Sequence, residues 1–312
     1  MELSLLLLQK ILTMLIMIMM GFSLVKTKKV SADASQTLAA VCVNWLNPLS
    51  ILNSFLLGYS PEKQSGLLLG FACSFGFMII FIFIAKLLKK PLKLSDGEEA
   101  CCIYSNAGNY IIPLVYSLFG SEAIFYCSAL ITVQSVFLWT HGYYTVSVSK
   151  DFNIKKILNR NLIAVFIGAI IFFCRIPVPT VVSDFTDMMT VSMTPIAMFM
   201  IGMLMAGSDL KKIMSRKKNY LICVLRLVVI PLFALGLMKL SGIVTAFPFA
   251  YQPMLILMMG LSGPVAVMIT QLTAVHGSKD DSENVGSITV MSTIFSLITI
   301  PAIVFCFQLI FG

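Results

Sequence analysis

The sequence predicts an all-α, polytopic membrane protein of ten transmembrane helices, arranged as two inverted five-helix repeats with broken, crossing helices four and nine. Three observations predict it. The 312 residues are 58% hydrophobic and only 12% charged, with a mean hydropathy of +0.94, which is too apolar for an ordinary soluble domain. Ten segments are long and apolar enough to cross a bilayer core. Two of them, at corresponding places in the two halves, are interrupted by proline and by small or polar residues, the pattern that marks the binding site of a secondary transporter.

In chain order the spans cover residues 3–25, 36–57, 66–88, 100–119, 122–147, 159–174, 187–207, 219–240, 252–275 and 284–311. The first contains Gln9 and Lys10 and has no small-residue cleavage site before the lysine-rich turn at Lys26, Lys28 and Lys29, so it reads as a retained helix rather than a signal peptide. Basic residues follow the odd-numbered spans: Lys86, Lys89, Lys90 and Lys93 after the third, Lys150, Lys155, Lys156 and Arg160 after the fifth, and Lys211, Lys212, Arg216, Lys217 and Lys218 after the seventh. With Lys279, that side holds seventeen of the 22 basic residues, whereas Lys10, Lys63, Arg175 and Lys239 fall on the other. By the positive-inside rule both termini face outward, across a plasma (cell inner) membrane in the multi-pass arrangement.

Ten crossings divide into five and five, residues 1–148 and 149–312. An odd number per unit inverts the second relative to the first. A short echo supports the division: Ile131, Thr132, Val133 and Ser135 match Ile288, Thr289, Val290 and Ser292 at one constant offset, and Gly120-Ser121 matches Gly277-Ser278 at the same offset.

The fourth span, CCIYSNAGNYIIPLVYSLFG, carries Pro113, and the ninth carries Ser262, Gly263 and Pro264. Proline lacks an amide hydrogen and clashes with the preceding turn. If the chain unwinds just before each proline, the proline opens a new half-helix, and the free amides at the two half-helix starts make a site for an anion near the midplane. A plain proline kink is the simpler alternative for either one alone. Asn106 and Asn109 lie three residues apart on one helical face, where a buried amide must find a partner: a solute, a cation, or the broken backbone itself. Gln134 and Gln271 pose the same question. Arg226, inside LICVLRLVVIPLF, either snorkels to the headgroups, pairs structurally, or stands near an anion path. Pro48, Pro195, Pro231 and Pro301 read as ordinary kinks.

All fourteen acidic residues fall in connections or at span ends, and the two histidines, His141 and His276, lie toward span ends. Proton coupling through an intramembrane carboxylate is therefore disfavoured. Sodium held by carbonyl, hydroxyl and amide oxygens, or uncoupled transport, suits the inventory better, and no cofactor is expected. The eight cysteines have no C-x-x-C spacing and read as small buried hydrophobes, not metal ligands or disulfides. The net charge of +8 sits in short clusters between apolar runs, which speaks for the lipid bilayer and not for nucleic acid. There is no HExxH and no intramembrane aspartate pair, so an embedded enzyme is not expected.

At these residues the sequence resembles the auxin efflux carrier family, whose bacterial members include permeases for malate and other carboxylates. The family pattern of asparagine, any residue, glycine and a later proline-leucine stands here as Asn106, Gly108, Pro113 and Leu114. Its Asn-x-x-x-Pro segment stands at Asn44 and Pro48, its span-seven run at residues 194–206, and its span-eight arginine and proline at Arg226 and Pro231. The run STIFSLITIP at 292–301 is the most specific match. Two positions depart from the pattern, Ile111 where the family often has glycine and Met268 where it often has asparagine. The resemblance implies a scaffold of spans one, two, six and seven, a moving unit made of the others, dimerisation through the scaffold, and elevator-type alternating access.

The expected function is thus a secondary active transporter, a permease moving a small organic anion, a carboxylate, with Asn106, Asn109, Pro113, Ser262, Gly263, Pro264, Gln134 and Gln271 at the solute and Arg226 on its path. The rival readings are a sodium-coupled carrier of the bile-acid symporter type and a sensor or channel using the same site.

Overall fold

The computed structural model describes residues 2–149 and 158–312. Among the described residues the chain is helical, with one isolated antiparallel bridge and no strand. Lys150, Asp151, Lys155 and Lys156 of the expected basic connection lie outside the described residues.

Seven helices among the described residues are long and apolar enough to cross a membrane: α1 (Glu2–Lys26), α2 (Ala34–Phe55), α3 (Pro61–Lys89), α6 (Ser121–Val146), α8 (Thr180–Gly207), α10 (Lys217–Ser241) and α13 (Lys279–Phe311). The other three expected spans are different objects. The fourth is two short helices, α4 (Asp96–Ile103) and α5 (Ala107–Phe119); the sixth is the 15-residue α7 (Arg160–Cys174); the ninth is again two, α11 (Tyr251–Leu261) and α12 (Val267–His276). A six-residue helix, α9 (Leu210–Ser215), links α8 to α10.

Local chemistry explains the boundaries. Ser60 caps α3 by accepting the Lys63 amide, with Pro61 in the first turn. Ser95 and Glu98 form a reciprocal capping box that starts α4, and Asn159 caps α7. Inside α2, α5 and α10 a wide π-turn sits just before Pro48, Pro113 and Pro231, each of which then opens an α-helical stretch. Proline cannot donate the next intrahelical bond, and the wide turn absorbs the missing one. At Pro48 and Pro231 the kinks expected from sequence are π-turns.

Two helices form the interior. From Pro253 to Leu261 every residue of α11 is buried, and α6 is buried from Ala123 through Ile131. Helix α1 runs along α8 at backbone contact: a Cβ on Gly21 would overlap Phe199 O, and one on Gly202 would overlap Ile18 O. Close approach through small residues is how helices associate where apolar burial offers no drive. Phe83, Val181, Leu240 and Ile298 point outward from the bundle, as lipid-facing side chains do. At the end carrying the basic connections, Lys218 pairs with Glu98 and Lys89 with Glu99, fixing the start of α4 to α10 and α3. Both carboxylates are buried, so burial here depends on pairing.

Candidate functional site: two helix breaks and an amide-lined cavity

The breaks of the fourth and ninth spans meet. Ser105 and Val265 form the isolated antiparallel bridge. The Asn106 amide donates to Pro264 O at 2.7 Å and the Ala266 amide to Tyr104 O at 3.0 Å. A buried backbone amide left unpaired is costly, and each amide of the two breaks is accounted for. In the first, Tyr104 N reaches Ala100 O and Ser105 N reaches Gln134 Oε1. In the second, Ser262 N reaches Met258 O, Gly263 N reaches Gly260 O, Val265 N reaches Ser292 Oγ, and Pro264 has no amide to satisfy.

The free amides begin one residue later, in the first turns of α5 and α12, where helical geometry leaves them without an intrahelical partner. Those turns, Ala107 to Asn109 and Val267 to Met268, line a cavity of about 330 Å³. Leu138 and Trp139 of α6 and Leu158 to Asn161 at the start of α7 complete its wall, with Leu158 exposed. Polar side chains complete it: Asn106, Asn109 and Gln134, all buried, Gln271, and Asn47 from α2. Asn47 Nδ2 donates to Asn109 Oδ1 at 2.8 Å. Gly108 permits this, because a Cβ there would stand 3.3 Å from that nitrogen. Among the described residues lining the cavity, the one charged side chain is Arg160, which donates to Asn44 O at 3.3 Å and lies over the Trp45 ring. Positive dipole ends, amide donors and one guanidinium with no carboxylate among them suit an anion.

The placement of the expected residues is mixed. Asn106, Asn109, Gln134 and Gln271 line the cavity; Pro113, Ser262, Gly263 and Pro264 do not. The chain does not unwind just before Pro113. It unwinds at Tyr104–Asn106, where α6 and the second break claim the backbone, and Pro113 sits within α5. Pro264 lies inside its break and α12 begins at Val267. Gln134 has a structural task besides lining the cavity: its Oε1 accepts from Ser105 N and from Ser105 Oγ (2.8 Å), and its Nε2 donates to Ser105 O. Ile111, where the family often has glycine, packs against Gly263, whose Cβ would come 3.0 Å from Ile111 Cγ1.

Arg226 does not snorkel. It is 1% exposed in the π-turn of α10, packed on α4 and α13, away from the cavity lining, and its Nε and Nη1 have no hydrogen-bond partner among the described residues. None of Glu98, Glu99 and Asp187 lines the cavity. Sequence reasoning passed over Asn47, Ser105 and Arg160. A signal for the first was present, since Asn47, Ser50, Asn53 and Ser54 put a polar stripe at helical spacing on an otherwise apolar span.

A crossing of broken helices over an amide-lined cavity, with seven membrane-length helices among the described residues, defines a membrane transport protein. A family model described as membrane transport protein matches residues 6–147 and 144–304, and the chain belongs to that family, the auxin efflux carrier family to which its motifs pointed. No curated protein matches the sequence significantly.

Proposed function

We propose that the protein is a secondary carrier of a small organic anion, a carboxylate, working by elevator-type alternating access across the plasma membrane. The observation that carries this reading is the cavity: the first turns of α5 and α12 present unpaired amides to one space that also holds Asn106, Asn109 and Arg160 and no acidic side chain among the described residues. A carboxylate there would accept from the backbone amides and the Asn109 amide, with Arg160 supplying charge at the mouth.

The same reading takes the three expected spans that are short or divided as crossings, giving ten, both termini outside, and two inverted units. In its support, the helices before the two breaks end at Ile103 and Leu261, within one residue of the offset that relates Ile131 to Ile288. The prolines do not share that offset. Spans one, two, six and seven would be the fixed, dimer-forming scaffold, and α3 to α6 with α10 to α13 the moving unit. Coupling would use sodium and not a proton, since no carboxylate lines the cavity among the described residues.

The test is Asn109→Ala, reconstituted in proteoliposomes and assayed with labelled malate. The expected result is a half-saturation concentration raised about tenfold or more, the loss of one charge-assisted bond, with the protein still monodisperse. Unchanged uptake would refute the site. Saturable counterflow is expected; a single-channel current would instead make the protein a channel, and dependence of uptake on sodium would mark the coupled form.

A further inference from the structure

The carrier reading leaves a buried polar seam unexplained. Helix α2 faces α8 with Asn47, Ser50 and Asn53, and α8 answers with Thr194, Thr190 and Thr186, all six buried. At the outward end the seam is closed within these two helices: Thr186 Oγ1 donates to Asn53 Oδ1 at 2.8 Å, and Asn53 Nδ2 donates to Asp187 Oδ1 at 3.3 Å. At the midplane end it engages α5 instead, through Asn47 to Asn109 and through Thr194 Oγ1, which donates to Pro113 O at 3.4 Å. Two atoms of the seam stand unanswered: Ser50 Oγ, between the ends on a residue 0% exposed, and Asn47 Oδ1 at the midplane end. A buried hydroxyl without a partner is rare enough to require a cause.

We propose that Ser50 is a positioning residue, the vacant station that Asn109 occupies when α5 slides toward the outer face. In that step the Asn109 amide leaves Asn47 for Ser50 as the Pro113 carbonyl leaves Thr194 for Thr190. At 1.5 Å of rise per residue the move from Asn47 to Ser50 is about 4.5 Å, and that from Thr194 to Thr190 about 6 Å. Two independent ladders on facing helices therefore prescribe nearly the same displacement, close to one helical turn. Thr190 Oγ1, now bonded to Thr186 O within its own helix, needs only a rotation of χ1 to serve. In each state Asn109 answers one of Asn47 and Ser50 and leaves the other bare, while Pro113 O keeps one threonine hydroxyl. The hydrogen bonds from the seam to α5 are thus equal in number in the two states, as an alternating carrier with two comparable states requires. The seam's outer closure, Asn53 with Thr186 and Asp187, lies wholly in the scaffold and stays put.

The inference rests on the elevator reading, and the experiment separates the two. Asn109→Cys is combined with Asn47→Cys in one chain and with Ser50→Cys in another. Each also carries Gln271→Cys as a cavity reporter, because none of the native cysteines lines the cavity. After oxidation, linked chains are labelled with an impermeant thiol reagent from the basic-loop side, and the peptide carrying position 271 is quantified by mass spectrometry. The link through position 47 should leave labelling as fast as in the unlinked chain. The link through position 50 should slow it at least tenfold, because the cavity has closed. Equal labelling of the two linked forms, or no link through position 50 in a monodisperse protein, overturns the proposal. As a second arm, Ser50→Ala should lower the maximal malate exchange rate about fivefold with half-saturation unchanged; an unchanged maximal rate overturns it as well. If wild-type vesicles exchange no carboxylate while the labelling difference persists, the sliding stands and the assigned solute falls.

Discussion

The two helix breaks cross at one place yet are held by different means. The first spans Tyr104 to Asn106 and is gripped from α6: Gln134 makes three hydrogen bonds to Ser105, and Tyr104 Oη donates to Phe137 O at 3.0 Å. The second spans Ser262 to Ala266, contains a proline that removes one amide from the accounting, and takes from a neighbouring helix a single side-chain bond, Val265 N to Ser292 Oγ at 3.1 Å; its Ser262 Oγ turns back to Met258 O. The polar side chains that line the cavity follow the same division. The first arm supplies Asn106 and Asn109; the second offers backbone, Met268 and the exposed Gln271. One break is held by side chains and also carries the amides suited to recognition, while the other is made cheap by composition and serves mainly as backbone.

If that division is right, the largest effect should follow removal of the grip on the first break. Gln134→Leu leaves the Ser105 amide, hydroxyl and carbonyl unanswered in a buried site, which should cost roughly 3 kcal/mol or more. Thermal unfolding in detergent should move to clearly lower temperature, and malate exchange should be lost. Gln134→Glu sharpens the reading, because its carboxylate can still accept from Ser105 N and Oγ but cannot donate to Ser105 O, so it should fall between the two. Equal stability of Gln134→Leu and wild type would show that the first break does not depend on α6.

On the second break the corresponding change is Ser292→Ala, which orphans one amide. A cost of about 1–2 kcal/mol is expected, visible as a smaller fall in the unfolding temperature, and Ser292→Thr should recover most of it. A loss as large as that of Gln134→Leu would erase the asymmetry.

Hydropathy, charge alternation and interrupted spans made the helical membrane architecture legible in the sequence, because helix length and apolar composition are local properties. The site was legible in part. Asn106 and Asn109 could be named because an amide in an apolar span must have a partner, but the partner itself, Asn47, comes from another helix, and only the packing of α2 against α5 brings it there. The prolines misplaced the breaks for a related reason. Proline forbids one hydrogen bond, whereas where the chain opens is decided by what competes for its backbone, here Gln134, Ser292 and the opposite break. Arg226 shows the same limit: it stands eight positions after Lys218, which permits snorkelling, and only the packing of its π-turn on α4 and α13 buries it.

The smallest expected effect is also the most direct probe of recognition. Met268 occupies the free-amide turn of α12 and lines the same cavity as Asn109, at the position where the family often carries asparagine. Met268→Asn would give the second arm the side-chain donor it lacks. The new amide sits beside the cavity and not in the packed crossing, so stability should change by less than about 1 kcal/mol. A neutral hydrogen bond contributes on the order of 1 kcal/mol net, so half-saturation for malate should fall about two- to fivefold. Combined with Asn109→Ala, the change should restore part of the lost affinity, since both side chains would address one bound carboxylate. If Met268→Asn leaves affinity and selectivity among carboxylates untouched in both backgrounds, the solute does not reach the second arm, and recognition belongs to the first break alone.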